Sequence, residues 1–287
     1  METNGKKLRQ ALEKENFFLL PGVYDCLSAK MAEKAGFDAV FFSGGAYSLA
    51  NMGRPDIGFF HTGEVLHALF SILSTIHVPL LMDADNGFGN AIHAADTAKK
   101  LEMLGVAGLQ IDDQVLPRSI PDRSKECSSW EYVAPKLAAI RQSVSDDFVI
   151  LFRTIANTTD TLDEAISRIN RAAELGADYA YVDGIKSYEE LCQVSERAKI
   201  KLLVNVNERG ACAKIPMEKI KALSYRIGLY PVSSVSVAAQ AVLSLFETMK
   251  KTGSTQSCAE SLYSITQLWD DMGLKDQTEK YLPLYKK

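Results

Sequence analysis

Four carboxylates follow two apolar, strand-like runs in this 287-residue chain. Asp83 and Asp85 come after Leu80-Leu81-Met82, and Asp112 and Asp113 after Gly108-Leu109-Gln110-Ile111. Asp83 and Asp85 are two apart, so an extended backbone turns both to the same side. Converging carboxylates repel one another unless a cation or a shared proton relieves them. A hard divalent ion such as Mg²⁺ is the simplest relief. Arg153, after apolar Phe152, reads either as a buried ion-pair member or as a two-armed clamp for a ligand carboxylate. The turn Ser43-Gly44-Gly45 lets backbone N–H groups approach an anion closely.

Each residue has a plainer reading. A single Asp at a strand end is commonly the N-cap of the next helix, but capping takes one oxygen and leaves the second carboxylate of each pair unexplained. Tyr24 reads as pocket wall or as core. The four histidines, His61, His67, His77 and His93, show no ligand spacing and read as structural, and Trp130 and Trp269 as packing anchors.

These residues need strands to carry them. Strand-like runs occur at 17–20, 39–42, 79–82, 108–111, 148–152, 179–182, 202–204 and 227–230. Helical periodicity fills many of the gaps, at 27–35, 91–104, 133–144, 162–175, 188–198 and 217–223, with a last helix at 234–250. Gly36, Gly105 and Gly176 stand where a helix ends in a left-handed residue. Eight such units predict a (β/α)₈ TIM barrel, in which the chemistry sits at the C-terminal strand ends. The competing open doubly wound sheet leaves two or three strands unplaced. The chain reads as one barrel domain over 1–287, with 253–287 as a helical extension that needs a surface to cover. Residues 115–130 break the pattern with two prolines and many charges, and 115–125 read as a lid.

A net charge of −4 and the lack of a basic cluster argue against nucleic acid as a partner. No apolar run is long enough to predict a membrane span. Five scattered cysteines, odd in number and without CxxC spacing, predict reduced, mostly buried thiols in a cytoplasmic protein.

Taken in order, 21–25, 43–45, 53–58, 82–90, 111–114, Arg153-Thr154 and Tyr230-Pro231 resemble the isocitrate lyase / phosphoenolpyruvate mutase superfamily, and 269–275 resemble the tail of its carboxyphosphonoenolpyruvate mutase-type members. The resemblance implies a (β/α)₈ barrel, often with the last helix swapped between partners, a homotetramer, Mg²⁺, and chemistry on C–C or P–C bonds beside a small anionic 2-oxo acid or its enolate. Carried over by position, it implies Asp85 as metal ligand, with Asp83 and Asp112 touching the ion directly or through water. Ser43, Gly44, Gly45 and Arg153 would then bind the substrate carboxylate, and Tyr24 and Asn205 would line the pocket. The C–C lyases carry a Cys in the loop after the fourth strand, where this chain has Ile120; Cys127 lies further on. Asp112 and Asp183 stand where the family has Glu, and Ile155 stands for an Asp. The Cys-free loop, Asn90 and Gly184 resemble oxaloacetate decarboxylase-like members, so the expectation is a Mg²⁺-dependent lyase or decarboxylase working through a pyruvate-type enolate. The alternatives are a P–C bond enzyme and a barrel that retains binding without catalysis.

Overall fold

The computed structural model describes residues 2–117 and 126–285. Eight parallel strands close into a barrel in chain order: β1 Phe18–Val23, β2 Val40–Phe42, β3 Leu80–Asp83, β4 Gly108–Asp112, β5 Val149–Thr154, β6 Tyr179–Val182, β7 Lys201–Asn205 and β8 Tyr225–Tyr230, with β8 returning to β1. All eight runs read from the sequence are strands, so the fold is the (β/α)₈ barrel.

The helices are α1 Asn4–Lys14, α2 Cys26–Lys34, α3 Gly44–Asn51, α4 Thr62–Leu73, α5 Ala91–Leu104, α6 Trp130–Ser143 and α7 Ala156–Thr159. They continue with α8 Leu162–Glu174, α9 Tyr188–Arg197, α10 Met217–Lys221, α11 Ser233–Thr252, α12 Ile265–Asp271 and α13 Leu274–Tyr281. Gly36, Gly105 and Gly176 all adopt positive φ, between 89° and 96°, as helix-terminating glycines do. Besides the one-turn α7, three barrel helices, α1, α3 and α4, escape the periodicity reading. The first turn of α3 is glycine, α4 is apolar on most sides, and α1 precedes the first strand. Helix α1 closes the N-terminal end of the barrel. Its Leu8, Ala11 and Leu12 join the interior cluster of Phe18, Leu20, Phe41, Leu81, Leu151, Tyr181, Leu203 and Leu229. Arg9 fastens it by an ion pair of 2.8 Å to Asp178 and a hydrogen bond to the Asp147 carbonyl.

Strand alternation explains what reaches the other end. One face of each strand packs outward on the helices, through residues such as Met82, Leu109, Ile111, Ile150 and Phe152. The opposite face is apolar at the bottom and polar at the top in β3, β5 and β7: Leu81 then Asp83, Leu151 then Arg153, Leu203 then Asn205, whereas β4 is polar in both layers, with Gln110 then Asp112. The apolar members plug the barrel, and the polar members form the floor of its C-terminal mouth.

The chain divides into two compact units, residues 1–235 and 236–287. The second consists of most of α11 with α12 and α13, and none of its described residues is buried. Val237, Val242, Leu243, Phe246, Trp269 and Leu282 are each about half exposed or more. No helix among the described residues is long and apolar enough to cross a membrane.

Candidate active site

Asp83 ends β3, with its carboxylate inside the barrel mouth. Oδ1 accepts 2.8 Å from Gln110 Nε2 and 3.3 Å from the backbone N–H of Asp85. Asp85 lies in the turn that follows, at φ 45°, a left-handed conformation that only an external constraint makes tolerable in a non-glycine residue. One constraint is visible: the N–H of Asp112 donates 2.8 Å to the Asp85 carbonyl, tying the turn to β4. Asp83, Asp85 and Asp112 are all buried.

Burial and mutual repulsion shape the electrostatics. Desolvation, offset by Arg153 and reinforced by Asp112 and Asp56, pushes the Asp83 carboxyl up to about 6. Desolvation and the neighbouring Asp83 hold Asp85 well above the ordinary carboxylate range. Opposite them, Arg153 Nη2 donates to Asp112 Oδ2. Its guanidinium is held firmly charged: the pull of Asp112, Tyr181, Asp83 and Asp183 outweighs the cost of its burial. Of the two readings the sequence left open, the ion-pair member is the one observed, with Asp112 as its partner.

The Ser43-Gly44-Gly45 turn lies on the same rim. Ser43 caps α3 by accepting from the Ala46 N–H at 3.2 Å. A Cβ on Gly44 would lie 2.5 Å from the Phe60 ring and 3.4 Å from Asp83 Oδ2, and one on Gly45 3.1 Å from Asp56. Gly44 is therefore required for space, Gly45 fits tightly against Asp56, and the turn brings the positive N-terminus of α3 beside the carboxylates. Tyr24 stands half-buried at the end of β1, and Asn205 at the end of β7.

Cavities open at the mouth among the described residues. One, of about 290 Å³, is walled by Asp85, Asn86, Phe60, Phe88 and Tyr132. Another, of about 350 Å³, lies on the far side between β6 and β7, lined by Asp183, Asn205, Asn207, Arg209 and Cys212. The Asp183 cavity is not lined by the carboxylate pair; Arg153, which feels Asp83 and Asp183 together, stands on β5 between the strands that carry them.

Among the described residues, no three His, Cys, Asp or Glu side chains form a ready-made ligand array. The residues nonetheless fit a Mg²⁺ ion. Their donors are all hard oxygens, and this ion keeps several waters and takes only one or two protein carboxylates. Among the described residues, Arg153 Nε and Asn205 Oδ1 are buried without a hydrogen-bond partner, which leaves one donor and one acceptor unused at the strand ends.

Other strand-end residues take the plainer role. Asp25 caps α2, with its Oδ1 accepting 2.7 Å from the Ser28 N–H, and Asn90 caps α5. Asp113 accepts from Thr154 Oγ1 at 2.6 Å, from the Ile155 N–H at 2.9 Å and from Arg168 at 3.0 Å, locking β4 to β5 and α8. Ser233 donates to Glu208. Cys127 pairs as an isolated bridge with Gln114, and its thiol lies against Arg168. Burial and Asp113 push that thiol up to about 12. Only Cys212 of the five free cysteines is fully buried, where mostly buried thiols were expected. Most of the expected lid, including Ile120, lies at 118–125, outside the described residues.

Three side chains escaped the sequence reading, Gln110, Tyr181 and Lys136, and Asp56 stood in the 53–58 segment without an assigned role. Gln110 and Tyr181 carried a usable signal, being polar residues on inward positions of strands β4 and β6. Nothing local marks Lys136, whose role depends on packing between distant segments.

The family model described as phosphoenolpyruvate phosphomutase matches residues 8–255. The chain is 32% identical over 271 residues to 2,3-dimethylmalate lyase of Eubacterium barkeri, covering 94% of each protein. The structure of oxaloacetate acetylhydrolase with the inhibitor 3,3-difluorooxalacetate superimposes with a TM-score of 0.90 at 26% identity, covering 98% of this chain and 97% of that one. Phosphonopyruvate hydrolase in complex with oxalate and Mg²⁺ gives 0.86 at 26% identity, over 98% and 100%. These similarities run through the whole barrel and both strand ends that carry the carboxylates. The chain belongs to the isocitrate lyase / phosphoenolpyruvate mutase superfamily of lyases and mutases.

Proposed function

We propose that this chain is a Mg²⁺-dependent carbon–carbon lyase for a small 2-oxo or 2-hydroxy dicarboxylic acid, with decarboxylation of an oxaloacetate-type substrate through a pyruvate enolate as its leading reaction. One observation carries the reading: the buried Asp83–Asp85 pair, the charged Arg153 and the N-terminus of α3 share one rim of the barrel mouth. Asp85 would hold the ion, with Asp83 and Asp112 beside it directly or through water. Bound Mg²⁺ supplies Lewis acidity to a carbonyl and its adjacent carboxylate, an electron sink worth several kcal/mol.

The chain's own groups do the rest. The Ser43–Gly45 turn and Arg153 fix the carboxylate next to the 2-oxo group, and Tyr24 and Asn205 close the sides of the pocket. The distal C–C bond then breaks, its electron pair moves into the enolate, carbon dioxide leaves, and a proton from water completes pyruvate. Cys127 supports water in this role. A thiol pushed up to about 12 and turned onto Arg168 is a poor proton donor. Likeness to 2,3-dimethylmalate lyase and to an enzyme inhibited by a fluorinated oxaloacetate supports the substrate class.

A second reading, P–C bond chemistry, is supported by likeness to phosphonopyruvate hydrolase and to a phosphoenolpyruvate phosphomutase. Incubation with oxaloacetate, a 2-hydroxy dicarboxylate and phosphonopyruvate in Mg²⁺ separates the two. Pyruvate from oxaloacetate, or a 2-oxo acid with its partner carboxylic acid from the 2-hydroxy dicarboxylate, supports the lyase, and a new phosphorus NMR signal from phosphonopyruvate alone overturns it. The half-exposed apolar residues of 236–287 support a homotetramer in which other subunits cover them, and five unpaired thiols support a cytoplasmic setting.

A further inference from the structure

Lys136 on α6 is among the largest fully buried side chains, 1% exposed. An ammonium is expensive to bury, and a Met or Leu would fill the same space at no such cost. Burial pulls its pKa down to about 8, against the attraction of Asp112. Its hydrogen bond goes to a specific place: Nζ donates 2.9 Å to the backbone carbonyl of Asn86, the residue after Asp85. The same ammonium lies 4.2 Å from the centre of the Tyr132 ring, one turn earlier on α6. Tyr132 in turn reaches the Gly89 carbonyl at 3.4 Å.

The turn they grip is strained. Asp85 and Phe88 both adopt left-handed φ, at 45° and 56°, with Gly87 at 84° between them. Non-glycine residues hold such conformations only where their surroundings over-determine them. The Asp85 carbonyl is fixed from β4 by Asp112, and the Asn86 carbonyl from α6 by Lys136. Asn86 Nδ2 also donates to the Gln114 carbonyl at 3.4 Å. Removing Lys136 leaves the Asn86 peptide without its hold from α6.

We propose that Lys136 is a positioning residue, whose hydrogen bond to the Asn86 carbonyl holds the strained 85–89 turn so that the Asp85 carboxylate takes up the divalent cation. The proposal rests on the Mg²⁺ reading above. It has a distinctive sign. Removing a positive charge near a cation site tightens cation binding if charge is all that matters, whereas loosening the turn weakens it.

Calorimetric titration of Mg²⁺ into the substrate-free protein, with thermal unfolding in parallel, tests this on wild type, K136M, K136R and D85N. K136M should keep or raise the unfolding midpoint yet bind Mg²⁺ about tenfold or more weakly, and K136R, which keeps a donor, should recover most of the loss. K136M binding Mg²⁺ as tightly as wild type, or more tightly, overturns the proposal while D85N still fails to bind. D85N binding like wild type, or wild type not binding at all, overturns the metal reading and the proposal with it. If K136M does not fold, K136Q replaces it under the same outcomes.

Discussion

Gln110 holds Asp83 by a 2.8 Å hydrogen bond from its amide nitrogen, while its amide oxygen accepts from the Tyr181 hydroxyl at 3.1 Å. All three groups are buried. The relay runs from β6 through β4 to β3 and sets which carboxylate oxygen of Asp83 remains free toward the mouth. Replacing Gln110 with Leu should leave the Tyr181 hydroxyl and Asp83 Oδ1 without these partners, destabilising the protein by about 1–3 kcal/mol. It should also lower Mg²⁺-dependent turnover by about 10- to 100-fold. Y181F, which keeps the Gln110–Asp83 bond, should be milder on both counts. Equal loss of turnover in the two variants would contradict the relay.

The raised carboxylates make stability depend on pH. The Asp83 carboxyl rises from an ordinary value of 3.8 to about 6, and Asp85 rises with it, so the folded metal-free protein holds protons that the unfolded chain has released. That contribution is fully present below pH 3.8 and is lost as pH rises through about 6. In EDTA, the stability of wild type relative to D85N should therefore fall between pH 4 and pH 7. Added Mg²⁺ should raise the wild-type unfolding midpoint more at pH 7.5 than at pH 5. A pH-independent difference between the two proteins would refute the assignment.

Asp112 and Asp113 are neighbours with separate tasks. Asp113 is fully buried and satisfies Thr154, Ile155 and Arg168. D113A should cost about 1–3 kcal/mol by leaving the buried Thr154 hydroxyl and Ile155 N–H unpaired, while Arg168 keeps its 2.7 Å ion pair with Glu164. Urea unfolding checks it. D112N should lose activity with a much smaller change in stability, because it retains a side chain able to accept from Arg153. A reversal of this order would mean that the two roles have been exchanged.

Arg153 combines an ion pair with unsatisfied donor capacity. R153K keeps the charge but not the planar fork, so it should raise KM for the 2-oxo acid by about tenfold or more while folding normally. A wild-type KM in R153K would remove Arg153 from substrate binding.

Much of this was legible in the chain itself. Every strand was visible because each is a short apolar run closed by polar residues, and three helices ended at glycines whose positive φ the fold requires. Asp83, Asp85, Asp112 and Arg153 stood out because charged residues directly after apolar runs have few reasons to be there. Helices α1 and α4 were harder. One precedes the repeat, and the other is too uniformly apolar to show a face. Lys136 was invisible because an isolated lysine on an amphipathic helix ordinarily points to water. Only the packing of α6 against the 85–89 turn gives it another place. Asp113 shows the opposite failure, looking like Asp112 in sequence and separated from it only by strand alternation, which turns it away from the mouth.

The central claim is that Asp85 anchors a cation on which enolate formation depends. It is tested most directly by the rate of pyruvate release from oxaloacetate, in excess of the Mg²⁺-only background, for wild type and D85A across a Mg²⁺ titration. Wild type should show saturable, EDTA-sensitive turnover, and D85A none above background at any Mg²⁺ concentration. Undiminished turnover by D85A, or by wild type in EDTA, would contradict it.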